Sequence, residues 1–270
     1  MTTFKREADM LRPIISNRYK FTSPRTPWEH FYEIQTTKGV ADIIFAVFNE
    51  DVIGDRKRWG VHPVQSKTAI DVLTLLSATR KQNAAGRKAS PSLSTSEVAK
   101  KTLTSTSHLS QQLLPKLIEY GWVERTGRGH WQAKHLYACP ATSIYAIEVK
   151  RTDWQRALSQ AASHTRFANK TFLAMDAERL PKSQNRLHVA LEHAGVGLFA
   201  VSASALKDPL TVLANPTRKS PRNSERSVVS ERLLSVRNSE GNSGFWGHVF
   251  GRIVTTSSGD DPRKSMLLLK

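Results

Sequence analysis

The chain has 270 residues, 39% of them hydrophobic and six of them tryptophan, enough to bury one good core and a second smaller one. A net charge of +17 points to a polyanionic partner, nucleic acid first and a membrane surface second. No apolar run approaches the ~18 residues of a transmembrane helix, no apolar signal core opens the chain, and the single cysteine, Cys139, excludes an intrachain disulfide and a cysteine-based zinc site, so a reduced, cytoplasmic protein is expected.

In chain order, the first predicted element is a helix from Thr2 or Thr3 to about Ser16, kinked or ended at Pro13. Two strands follow, Trp28–Gln35 and Val40–Asn49, joined by a turn over Thr36–Gly39. The second reads VADIIFAVF, the near-continuous apolar run of a central buried strand. Asp42 interrupts it, and a lone buried carboxylate is costly unless paired or metal-bound. From Arg56 to Tyr137 the character changes, with 14 Lys and Arg against four acids. Asp55, Arg56 and Lys57 read as part of a polar loop. Lys67–Arg80 reads as an amphipathic helix, Gln82–Ser94 as a polar loop, and SEVAKKT as a short helix capped by Ser94 or Thr95. A further helix spans His108–Tyr120, with Gly121 past its end. Trp122–Arg125 and His130–Ala133 then form a hairpin around Thr126–Gly129.

Ser143–Met175 predicts a strand, a helix from Asp153 as N-cap to about Ala168, and a second strand over Lys170–Met175. The first strand ends in Glu148 and Lys150. Residues two apart on a strand share a face, so an acid and an amine stand side by side. Taken alone, such a pair also suits an exposed ion pair on a sheet. One more helix, Gln184–Ala194, and one more strand, Val196–Ser202, follow. From about Lys207 the composition turns to Ser, Asn, Arg and Pro, and 207–270 is expected to be mostly disordered, with short sticky patches.

The order helix with Glu7, strand, strand with Asp42, strand with Glu148-x-Lys150, helix with Gln160, strand resembles the PD-(D/E)XK (restriction-endonuclease-like) nuclease superfamily, whose core is αβββαβ. Ala41 stands where a proline often precedes the aspartate. The resemblance implies that Asp42 and Glu148 bind Mg2+ or Mn2+ and that Lys150 positions or activates the attacking water. It implies support from Glu7 and Gln160. Glu33 is another carboxylate that could serve, and Asp55-Arg56-Lys57 is a rival Asp-x-Lys. The chemistry agrees: phosphodiester hydrolysis gathers negative charge on phosphoryl oxygens, and hard carboxylate ligands suit the divalent ions that offset it. His108, His130, His135, His164 and His188 show no metal-ligand spacing.

The basic insertion resembles a winged helix, with Ser105–Tyr120 as the recognition helix and GWVERTGRGHWQA as the wing. The resemblance implies base or phosphate contacts from Ser105, Thr106, Ser107, His108, Gln111 and Gln112. It implies backbone contacts from Lys100, Lys101, Arg125, Arg128 and His130. Pro115 should kink this helix or mark its true start.

The expected architecture is thus α/β. A nuclease-like core spans 1–55 and 138–206, a winged-helix insertion spans 56–137, and a tail follows. The expected function is metal-dependent cleavage of DNA, double-stranded by preference, with no membrane partner; a homodimer or a larger defence- or transposition-type complex is compatible. The alternatives are a DNA-binding regulator on an inactive nuclease-like scaffold and an interaction module of a larger complex.

Overall fold

The computed structural model describes residues 3–84, 92–181, 185–204, 208–221, 223–239 and 252–253. The elements in chain order begin with a 3-10 turn Glu7–Met10, α1 (Leu11–Ser16), β1 (Glu29–Thr36), β2 (Gly39–Phe48), α2 (Glu50–Trp59), α3 (Lys67–Ala84), β3 (Leu93–Ser94) and α4 (Thr95–Thr102). Next come α5 (Thr106–His108), a π-turn Leu109–Leu113, α6 (Leu114–Glu119), β4 (Val123–Gly127) and β5 (His130–Ala133). The chain continues through β6 (Ala141–Lys150), α7 (Trp154–His164), β7 (Lys170–Asp176), α8 (Asn185–Ala194), β8 (Gly197–Val201), β9 (Leu210–Ala214), α9 (Ser224–Ser239) and β10 (Arg252–Ile253). It divides into two units, 1–47 with 141–222 and 236–270, and 48–140 with 223–235. No helix among the described residues is long and apolar enough to cross a membrane.

The first unit is a mixed α/β layer structure. Six strands in the order β1-β2-β6-β7-β8-β9 form its sheet, and the two-residue β10 adds to the β1 edge. β1 and β2 pair as an antiparallel hairpin, from Glu29 opposite Ala46 to Thr36 opposite Gly39. β6, β7 and β8 are parallel, each joined to the next through a helix, and β9 closes the far edge antiparallel. Both faces of β7 are covered over 172–175, which is why that stretch reads FLAM. Phe172 and Ala174 face a core with Met10, Ile14, Phe45 and Phe199. Leu173 and Met175 face the other way, against Leu158 and Ala161 of α7 and Leu187 and Leu191 of α8. The Phe172 and Phe199 rings stack with centroids 4.2 Å apart. Gly197 allows that approach, because a Cβ there would lie 2.6 Å from Phe172 Cδ1.

The N-terminal helix starts later than its sequence predicts. Arg6 is extended, and its N–H is taken by Asp9 Oδ2 at 3.1 Å, so helical geometry begins at Glu7 as a 3-10 turn. Pro13 then falls in the first turn of α1, where a missing N–H costs little.

In the second unit, α3, β3, α4, the helical stretch 106–119 and the β4–β5 hairpin surround one core. Ile70, Leu73, Leu76, Val98, Leu109, Leu117, Trp122 and Trp131 are among its buried residues. Its small sheet has the order β3-β5-β4. Ser94 and Glu97 form the capping box that opens α4. Pro115 is accommodated without breaking the helix: the preceding turn widens to π, with Leu114 N–H bonding Leu109 O.

Two expectations are corrected. Asp55, Arg56 and Lys57 lie inside helix α2 and not in a polar loop. Asn49 Oδ1 accepts the N–H groups of Asp51 and Val52 (3.1 and 3.3 Å), acids occupy the first turn and bases the last, and Gly60 ends the helix at φ 67°. The region after Lys207 is also not mostly disordered over its described part. β9 completes the sheet edge, and α9 buries Val228, Val229, Leu233, Leu234 and Val236. Apolar pairs at helical spacing outweigh the Ser- and Arg-rich composition there. The rest of the predicted tail, 240–251 and 254–270, lies outside the described residues.

Candidate functional site

Asp42, Glu148, Lys150 and Glu7 come together in the first unit. Asp42 leaves β2 partway along its apolar run. Its Oδ2 accepts the backbone N–H of Val149 on the neighbouring β6 at 2.7 Å, so it lies against the Glu148–Lys150 segment. Glu148, 1% exposed, has Oε1 3.8 Å from Lys150 Nζ, as the two-residue strand spacing requires. Glu7 reaches the cluster from the 3-10 turn. Its Oε2 accepts from Lys150 Nζ at 3.2 Å and its Oε1 from Arg151 N–H at 3.4 Å. The segment carrying Glu7 is anchored across the strand ends: Phe4 N–H donates to Asp176 Oδ2 at 3.2 Å, and Arg151 donates to Lys5 O at 2.5 Å.

Three carboxyl groups thus crowd one amine. Burial and then the charge of Glu148 push the Asp42 carboxyl up to about 7, against the opposing pull of the Val149 hydrogen bond and Lys150. Burial alone would lower the Lys150 amine. Asp42, Glu7 and Glu148 outweigh it, and the net direction is upward.

The helix after the motif supplies a residue that motif reading passed over. His164 is 1% exposed, and its Nε2 lies 3.2 Å from Glu148 Oε2. Its Nδ1 faces Ser163 Oγ at 3.4 Å. The signal was a polar residue on the buried stripe of α7, three positions after Ala161. The helix expected to reach about Ala168 ends at His164. Gln160 is four residues before His164, hence one turn away on the same face. Its Oε1 is buried and has no hydrogen-bond partner. Asp176, 0% exposed, is the other buried acid at these strand ends, one residue past the predicted strand. Glu33 stands between the paired Tyr32–Ile43 and Ile34–Ala41 with φ 49° and is exposed, outside the groups that perturb Asp42.

The donor set fits a hard divalent cation. Asp42 and Glu148 offer carboxylate oxygens in a cluster where three acids face the single amine of Lys150. Among the described residues no group of three or more His, Cys, Asp or Glu could hold a metal ion by itself. Mg2+ is commonly held by one or two carboxylates with water completing its shell.

The residues predicted to meet nucleic acid lie in the second unit and are all exposed. Lys100 and Lys101 close α4. Ser105 is the N-cap of α5 and accepts His108 N–H at 3.2 Å, so its hydroxyl serves the helix itself. Thr106, Ser107 and His108 form that first turn, and Gln111 and Gln112 occupy the π-turn. Ser107 donates to Gln111 at 3.2 Å and His108 pairs with Gln112 at 3.0 Å, so these side chains are ordered in rows along the helix. Arg125 is on β4, lying over Trp131, Arg128 is in the hairpin turn, and His130 opens β5. The turn before α5 carries Leu103, 94% exposed with φ 53°. Compared with family models, curated proteins and solved structures, the chain matches none.

Proposed function

We propose that this protein is a Mg2+- or Mn2+-dependent deoxyribonuclease of the PD-(D/E)XK type that grips duplex DNA through a winged-helix insertion. The observation that carries the reading is the crowding of Asp42, Glu148 and Glu7 around Lys150 at adjacent strands. Supporting it, the chain runs through a helical turn with Glu7, β1, β2, β6, α7 and β7, the αβββαβ order of that superfamily, with its middle interrupted. Supporting the second half, α3, β3, α4, the 106–119 helix and a hairpin follow one another as in a winged helix.

Asp42 and Glu148 would hold the ion. Such an ion supplies positive charge where phosphoryl oxygens gain negative charge and makes nearby water more acidic. Lys150, its amine shifted above the ordinary range, remains an ammonium at neutral pH. It stands as a positive charge and hydrogen-bond donor beside the phosphate, placed to position or activate the attacking water. Glu7 restrains that ammonium, and His164 holds the outer oxygen of Glu148. Within the insertion, Gln111, Gln112 and His108 present groups able to hydrogen-bond base edges, while Lys100, Lys101, Arg125 and Arg128 suit phosphates. The single cysteine accords with a reducing, cytoplasmic setting.

The test is a plasmid and single-strand cleavage assay with Mg2+ and Mn2+. Lys150→Ala is expected to bind DNA as the wild type does and to cut it ~10²–10³-fold more slowly. If the wild type cuts no nucleic acid with either ion, or Lys150→Ala cuts equally well, the nuclease reading fails.

A further inference from the structure

The second unit holds a cavity that the acid cluster does not account for. Its volume is about 580 Å3, and it lies between α2, the end of α3 and the segment after β5. A roughly 300–1,000 Å3 cleft is the size range of small-molecule sites. On one side Trp59 and His135 stack flat, with ring centroids 4.4 Å apart and planes 8° from parallel. Both residues are half-buried, so the stack forms a planar aromatic wall with Val52 and Leu136 beside it.

Several of the other lining groups are cationic. Lys81 and Lys134 are exposed and make no ion pair among the described residues. Arg80 is braced by the carbonyls of Ala133 (2.8 Å) and Lys134. Only Nη1 is used in those bonds. Arg56, also in the lining, is already neutralised by Glu231. The one acid in the wall, Asp55, is already paired with Arg58. His135 registers the excess positive field: burial first, then Lys134 and Arg80, lower its imidazole.

A planar apolar wall beside uncompensated ammonium and guanidinium groups matches a ligand that is aromatic at one end and anionic at the other. We propose that this cavity binds a nucleotide, its base against the Trp59–His135 stack and its phosphate at Lys81, Lys134 and Arg80. The shared chemistry admits a free nucleotide or one nucleotide of a single strand. The site is independent of the nuclease reading.

The experiment titrates the full chain, without divalent metal, with AMP, adenosine and inorganic phosphate by calorimetry. AMP is expected to bind more tightly than either half, and Trp59→Ala and Lys134→Glu each to weaken it about tenfold. Lys134 is exposed, so Lys134→Glu keeps the test valid if Trp59→Ala fails to fold. Competition by a thymidine octanucleotide assigns the site to a strand; AMP binding without competition assigns it to a free nucleotide. Absence of AMP binding at millimolar concentration, binding no tighter than phosphate alone, or indifference to Lys134→Glu overturns the proposal.

Discussion

Glu231 offers a sharp test of how the C-terminal helix contributes to the second unit. Its carboxylate is 0% exposed and accepts four hydrogen bonds: Arg56 Nη1 at 3.0 Å, Arg56 Nη2 at 2.7 Å, Val64 N–H at 3.1 Å and Tyr137 O–H at 3.0 Å. Arg56 is itself 4% exposed, lies 5.0 Å from the Trp122 ring and donates a further bond to Ala138 O. Glu231→Leu removes the acceptor and strands the guanidinium. Breaking a buried pair from one side costs ~3–5 kcal/mol. The orphaned Val64 and Tyr137 donors lie within that cost in part, because the four bonds act as one network. About 4 kcal/mol is a large share of a domain stability of ~5–15 kcal/mol. With a urea slope of ~2 kcal/mol per molar, the midpoint should fall by ~2 M. The double variant Arg56→Met with Glu231→Leu removes the stranded charge and should recover most of the loss. Urea unfolding of the three proteins, followed by tryptophan fluorescence, measures this. A Glu231→Leu midpoint within ~0.5 M of wild type, or a double variant no better than the single one, would refute the reasoning.

His30 is 3% exposed, and its Nε2 has no hydrogen-bond partner; burial, with Arg18 adding, lowers its pKa from 6.5 to about 4. The unfolded chain takes up this proton below pH 6.5 and the fold does not, so stability is full above 6.5 and declines as pH falls toward 4. The difference is worth ~3 kcal/mol, and His30→Phe should flatten the unfolding profile between pH 6.5 and 5; an unchanged slope sinks the assignment. His164→Phe removes the hydrogen bond to Glu148 Oε2 and should weaken Mn2+ binding, read by calorimetry, ~10–100-fold, while His164→Gln retains part of it. Equal affinity in all three proteins would separate His164 from the site. Replacing Lys100 and Lys101 together by Ala should reduce the slope of log affinity for DNA against log salt by ~2, and an unaltered slope would place both outside the phosphate contacts.

The site is built from contacts of very different range, and this governs what each residue could reveal in advance. Glu148 and Lys150 lie two residues apart on one strand, so their proximity follows from strand geometry alone. Asp42 could be suspected because an acid in an apolar run needs a reason, yet its bond to Val149 N–H spans 107 residues. His164 is only 16 residues from Glu148, but its role depends on how α7 is rotated over the sheet. The burial of Gln160 Oε1 without a hydrogen-bond partner is invisible in a list of residue types.

Local chemistry was therefore written in the sequence. The apolar runs of β2 and β7, the Ser94–Glu97 capping box, Gly121 after the 106–119 helix and the hairpin around Gly129 all follow from side-chain period and backbone preference. The α2 helix was hidden because its 10 residues include six charges, and its buried residues are only Ile53 and an arginine, Arg56. Helix α9 was hidden because its Ser- and Arg-rich composition conceals the helical spacing of its apolar pairs. Its first part, 224–235, falls in the second unit, where Glu231 pairs with Arg56, 175 residues away. Such pairings carry no local signature: a lone buried charge is unfavourable wherever it lies, and only the folded chain supplies the opposite charge that makes it tolerable.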